Sequence, residues 1–261
     1  MQRRTKTRLA AALLIPAVVA GTAYAVTGTA NAVANGELVP EGKYSFSVKL
    51  TMTGIPTPEG GKRDSACSGA LIAPQWVLTA GHCFRSSALD HLERPIPDRT
   101  TATVGRTDLS GTAGHEVEVV AVRRSPTADV SLAKLDTPIT DIRPIRLSPA
   151  APQAGTVLRV TGYGSTTSAN PVPETRLRTG QLKVVSSTDT ELGLNGYAPQ
   201  PDTTPCPYDS GGPYFVESRR GPALVAVVSN GPSCPHTGVE NAARTDNILP
   251  WIYRAMREGQ S

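Results

Sequence analysis

The chain has 261 residues, 18% charged and 39% apolar, with 24 glycines and 23 prolines. It is too apolar for a disordered polymer and too rich in Gly and Pro for a helical bundle, and it suits many short strands joined by turns. The formal charge of +4 comes entirely from Arg3, Arg4, Lys6 and Arg8; residues 1–32 hold no acid, and the remainder balances 22 basic against 22 acidic residues, which excludes a global basic excess that would draw nucleic acid or an anionic membrane.

In chain order, four positive charges precede an apolar run, Leu9 to Ala20. This is the order of regions in a secretory signal peptide, and the run is shorter than the roughly 20 residues a spanning helix needs. An N-terminal membrane anchor is the alternative reading. Two cleavage motifs follow, Ala23-Tyr24-Ala25 and Ala30-Asn31-Ala32. Cutting at the second makes residues 1–32 the signal. Cutting at the first leaves 26–32 as a short pro-segment. Either way a secreted body begins at Val33, free of the membrane.

Short apolar runs then alternate with turn signals: Tyr44–Leu50, Gly69–Leu78, Thr101–Val104, Glu116–Val122, Val130–Leu135, Val157–Thr161, Gln181–Val185 and Leu224–Ser229. Several alternate with period two and are rich in Val, as half-buried strands require. Asp136–Thr156 carries four prolines and reads as a linker between two strand-rich halves. Leu249–Arg257 is the one good helix candidate, with Pro250 in its first turn and Gly259 after it. The expected class is all-β with a terminal helix.

Four cysteines, Cys67, Cys83, Cys206 and Cys234, in an exported chain suggest two disulfides, with three connectivities open. No Cys or His cluster has zinc spacing, so no metal site is expected.

Three segments carry chemistry: Cys67 to Cys83, ending Thr79-Ala80-Gly81-His82-Cys83; Asp129-Val130-Ser131-Leu132-Ala133-Lys134-Leu135; and Cys206-Pro207-Tyr208-Asp209-Ser210-Gly211-Gly212-Pro213. Singly, each has an ordinary structural reading. Together they supply a hydroxyl nucleophile, an imidazole to take its proton and a carboxylate to orient the imidazole. Their order, His then Asp then Ser, excludes the α/β-hydrolase arrangement, which would also need Gly where Tyr208 stands.

These segments resemble the trypsin/chymotrypsin family of serine proteases, the secreted bacterial members most closely. Val33-Ala34-Asn35-Gly36 is similar to the family's mature start, Thr161-Gly162-Tyr163-Gly164 to the loop opening its second barrel, and Val228-Ser229-Asn230-Gly231 to its substrate-binding strand. The resemblance implies two six-stranded antiparallel β-barrels over about 33–140 and 156–247, and a helix over 249–258. It implies a serine endopeptidase acting on polypeptides through an acyl-enzyme. His82 would be the base, Asp129 its orienter and Ser210 the nucleophile, with the N–H groups of Tyr208 and Ser210 as oxyanion hole.

The same resemblance makes Ser229 the support of the carboxylate. It pairs the α-ammonium of Val33 with Asp209, and it joins Cys67 to Cys83 and Cys206 to Cys234. It calls for no cofactor and no metal; Gly105–Glu116 is too short for a calcium loop. A proteinaceous inhibitor is a partner the family would add, and a monomer is expected. An inert homologue that binds peptides is the rival reading.

Two positions depart from the pattern. Tyr208 stands where the family carries Gly. Thr204 stands at the floor of the primary specificity pocket where a trypsin carries Asp, and Asp202 falls two residues too early. With Gly231 and Gly238 as open walls and no acid in the pocket, an uncharged, medium or large apolar residue is expected before the scissile bond. His91, His115 and His236 read as surface or structural.

Overall fold

The computed structural model describes residues 33–84, 95 and 97–259. The export signal expected over 1–32, and His91, lie outside the described residues. A short strand β1 (Glu37–Leu38) comes first. Six strands follow: β2 (Ser47–Pro56), β3 (Lys62–Ala73), β4 (Trp76–Ala80), β5 (Arg99–Val104), β6 (His115–Arg124) and β7 (Val130–Leu135). They close a barrel in the order β2-β3-β4-β7-β6-β5. After β8 (Arg146–Leu147) come β9 (Val157–Gly162), β10 (Arg178–Ser187), β11 (Glu191–Ala198), β12 (Pro213–Val216), β13 (Ala223–Asn230) and β14 (Glu240–Arg244). The β9–β10 pairing closes the order β9-β10-β11-β14-β13-β12 into a second antiparallel barrel. The expected architecture is therefore present.

Alternation dictates the walls. In β6, Val119 and Val122 are both buried although three residues apart, because a register shift between Val119 and Ala121 turns the strand over. Leu50, Leu71, Trp76, Leu78, Leu132 and Leu135 are buried in the first barrel, and Leu158, Val160, Leu182, Leu192 and Leu194 in the second. Each such side chain stabilises the fold by about 1.5–3 kcal/mol relative to exposure.

The barrels are joined through aromatic edges. The Phe215 ring stands edge-on to Tyr44 at 5.2 Å and to Phe46 at 5.4 Å, a geometry that adds to simple burial. Ser47 and Thr161 share a hydroxyl–hydroxyl bond of 2.8 Å across the same joint. The helix α1 (Leu249–Glu258) leaves the second barrel and packs Ile252 and Ala255 into the core that holds Trp76 of β4.

Some local readings need correction. The run Gly69–Leu78 is two strands, broken at Pro74-Gln75. The linker Asp136–Thr156 contains β8, which runs parallel to β13. Strands β11, β12 and β14 went unread. β11 holds two glycines and an Asn, and β14 has no β-branched residue, so their pairing comes from neighbours on both sides rather than from propensity.

Candidate active site

The β4–β7 ladder pairs Ala80 with Val130. His82 follows β4 on a 3₁₀ turn, Gly81–Phe84, and Asp129 precedes β7. Strand pairing thus forces imidazole and carboxylate together. His82 Nδ1 lies 2.8 Å from Asp129 Oδ2, and the His82 backbone N–H donates to Oδ1 at 2.8 Å. Ser229 Oγ, arriving on β13 of the other barrel, donates to Oδ2 at 2.7 Å. Burial alone would raise the Asp129 carboxyl, but the bonds from His82, the attraction of its ring and the Ser229 hydroxyl outweigh that and hold it at about 2. An ionised carboxylate only accepts, so a neutral His82 carries its hydrogen on Nδ1 and presents Nε2 as a lone pair. The disulfide Cys67–Cys83 ties the turn to β3.

Ser210 sits in a tight loop between the barrels. A Cβ on Gly211 would stand 2.0 Å from Thr79 Oγ1 and 2.5 Å from the Ser68 carbonyl oxygen, and φ there is +81°, so only glycine fits. Ser68 pins this loop from the first barrel. Its N–H donates to the Ser210 carbonyl at 2.8 Å, and its hydroxyl to the Tyr208 carbonyl at 3.1 Å. Tyr208 holds φ at +76°, the left-handed region that costs a non-Gly residue of order 1–3 kcal/mol. Its ring lies over the Lys49 ammonium, 5.8 Å from nitrogen to ring centre.

Asp209 is fully buried. Its Oδ1 accepts from Gly164 N–H at 2.7 Å, and its Oδ2 from Cys206 N–H at 3.0 Å and from Val33 N at 3.2 Å. Burial nonetheless pushes its carboxyl up to about 6, against these bonds and the attraction of Lys49. Val33 is itself buried. In the continuous chain its nitrogen is a peptide nitrogen, which donates one hydrogen and carries no charge. Lys49, also buried, donates to the Tyr163 carbonyl at 3.0 Å. Its burial lowers the ammonium to about 8, with Asp209 pulling the other way. Sequence reading passed over Lys49; the signal was a lysine inside an inward-facing apolar strand.

Ser210 lines two cavities. One, of about 310 Å³, is shared with His82, Tyr208 and the Cys67–Cys83 bridge. The other, of about 210 Å³, is lined by Pro205, Cys206, Val228, Ser229, Gly231 and Glu240 among others. The bridge Cys206–Cys234 braces it. Thr204 is not among the lining residues. It is fully buried beside Ala34, and its hydroxyl makes no hydrogen bond within the protein. Gly238 stands against Pro232 and His236 rather than on the cavity wall.

The expectation of a pocket without an acid is overturned by Glu240, which lies far along the chain from the floor position and reaches the cavity from β14. His236, read as surface or structural, is paired with it: Nε2 to Oε1 is 2.6 Å, and the His236 side chain is 11% exposed. His115 is an exposed partner of Asp141 at 2.8 Å. Among the described residues no group of His, Cys, Asp and Glu could hold a metal ion, and no helix is long and apolar enough to cross a membrane.

Comparison with known proteins agrees with this geometry. The family model described as Trypsin matches residues 33–252. Human (Homo sapiens) serine protease 56 is 30% identical over 90% of the chain, although the match covers only 40% of that protein's own length. Trypsin iota of Drosophila melanogaster is 27% identical over 72% of the chain and 78% of its own. With both barrels closed, imidazole and carboxylate joined at the end of the β4–β7 ladder of the first, and a family match over most of its length, the chain belongs to the trypsin family of serine proteases.

Proposed function

We propose that this chain is an exported serine endopeptidase that hydrolyses peptide bonds through an acyl-enzyme on Ser210. The observation that carries this is the His82–Asp129 bond of 2.8 Å on the rim of a cavity that His82 shares with Ser210. In this reading His82 Nε2 takes the Ser210 hydroxyl proton as Oγ attacks the carbonyl carbon. The N–H groups of Tyr208 and Ser210 receive the oxyanion. The imidazolium then gives its proton to the leaving amine, and water repeats the sequence to release the acid. The two cavities meeting at Ser210 suit chain lying on both sides of the scissile bond. Export rests on the charged and apolar order of residues 1–20 and fits the two disulfides.

A second reading, an inert relative that binds peptides, is favoured by one observation, the positive φ of Tyr208 at a proposed oxyanion donor. A fluorophosphonate label on the secreted protein separates the two. Labelling at Ser210 with peptide cleavage supports the endopeptidase, whereas a folded protein that neither labels nor cleaves supports the binder.

A further inference from the structure

Glu240 is the acid of the cavity that Ser210 shares with Ser229 and Gly231. It is 3% exposed, and its carboxylate lies against the opposite wall: a Cβ on Gly231 would stand 2.3 Å from Oε2 and 2.5 Å from Oε1. Any side chain larger than hydrogen at position 231 would displace it. The carboxylate's hydrogen-bond partner is His236 Nε2, and the Nδ1 of the same ring is buried without a partner within the protein. Burial holds the His236 ring below its ordinary value, which favours its neutral form. Once Glu240 is ionised its carboxylate only accepts, so His236 donates Nε2–H to it and the pair carries one net negative charge facing the cavity. Burying such a charge without a cation is costly, and a cationic ligand relieves that cost.

We infer that Glu240, oriented by His236, is the specificity determinant of this pocket, and that the side chain it accepts before the scissile bond is a cation of the lysine or arginine class. The inference rests on the endopeptidase reading for the word scissile, but the cation site stands without it. The acid comes from β14 and not from the floor loop, where Thr204 is sealed off beside Ala34. The titratable groups facing Glu240 are His236, Asp209 and Tyr214. Burial and the Asp209 charge push the Glu240 carboxyl up to about 8, while burial and both carboxylates keep the Tyr214 hydroxyl protonated. The empty pocket therefore gains its charge as pH rises toward 9, where a lysyl ammonium is still charged. Cation selectivity should rise over the same interval.

Two measurements on the secreted protein beginning at Val33 test this. In the first, kcat/KM is compared for peptides that differ only in Lys or Leu before the scissile bond. Lys should be preferred, the Lys/Leu ratio should increase between pH 6 and 9, and Glu240→Gln should reduce that ratio at least tenfold. In the second, calorimetry follows binding of an aryl amidinium ion and its neutral carboxamide. The native protein should bind the cation at least tenfold more tightly at pH 9, which needs neither catalysis nor a folded variant. A Leu preference in the native protein, or equal binding of cation and amide, overturns the proposal. Selective amidinium binding by a protein whose Ser210 never labels sustains the cation site and overturns the endopeptidase instead.

Discussion

The Lys49 ammonium lies 5.8 Å from the centre of the Tyr208 ring, so a buried cation supports the residue that holds a left-handed backbone two positions before Ser210. The contact links both unusual features of this region, a lysine in the barrel interior and a tyrosine where the family carries glycine. Lys49→Met should lower kcat about tenfold with little change in KM, because the loop loses its support while the pocket keeps its walls. Tyr208→Gly removes the strain and should restore most of that loss in the Lys49→Met background. Kinetics on the four proteins of the double-mutant cycle check the coupling; additive effects would show that the two residues act separately.

Ser210→Ala and His82→Ala should each abolish acyl-enzyme formation, and the double variant should be no worse than either, because the groups act as a unit. Asp129→Asn should lower kcat by about 10⁴ through the wrong imidazole tautomer. Ser229→Ala should cost far less, about tenfold, since two His82 groups still hold Asp129. Near-normal turnover in Asp129→Asn would assign orientation to another carboxylate. Asp129 also has a stability signature. Its folded value is depressed to about 2, so its contribution is complete above the unfolded value near 3.9 and is lost as pH falls through about 2. Acid denaturation of native protein against Asp129→Asn measures it.

Secreted, active protein should begin at Val33, which N-terminal sequencing reads directly. The Val33 nitrogen is 3.2 Å from Asp209 Oδ2, and cleavage would place an ammonium there. In the uncleaved chain the Asp209 carboxyl is raised to about 6, so stability should fall as pH rises from about 4 to 6, where the native state holds the extra proton. In the cleaved protein the pairing raises the α-amino group above its usual 7.7–8.0. Its contribution should be complete below that range and fade as pH rises through the folded value. Full activity in a protein with an uncleavable residue before Val33 would overturn the pairing.

Replacing Cys206 and Cys234 together by Ser should destabilise the fold by about 2–4 kcal/mol and weaken selection in the pocket, because Cys206 lines it and Ser168 also bonds Cys234 N–H there. Thermal unfolding and the Lys/Leu ratio of kcat/KM measure the two effects. An unchanged ratio would mean that neighbouring strands alone hold the walls.

The sequence by itself determined the class of fold and the side chains that the proposed chemistry calls for. Period-two alternation and frequent turn residues leave few alternatives to barrels or sandwiches. A triad's members must each be a particular residue type, so His82, Asp129 and Ser210 were legible as candidates, each ordinary alone and telling only in combination and order. Tertiary structure alone decided the rest. The β4–β7 register sets His82 against Asp129, and the pairing of β11 with β14 depends on neighbours, not on composition. The pocket was misread for the same reason. Its acid was sought two residues before Cys206, but Glu240 enters from another strand, and the β13–β14 pairing of Asn230 with Asn241 sets it against Gly231. Lys49 likewise gains its role only when folding buries it beside the Tyr208 ring and within the attraction of Asp209. Strand periodicity is a local property that the chain carries along its length, whereas the charge a buried group meets depends on residues distant in sequence that packing brings within a few ångströms.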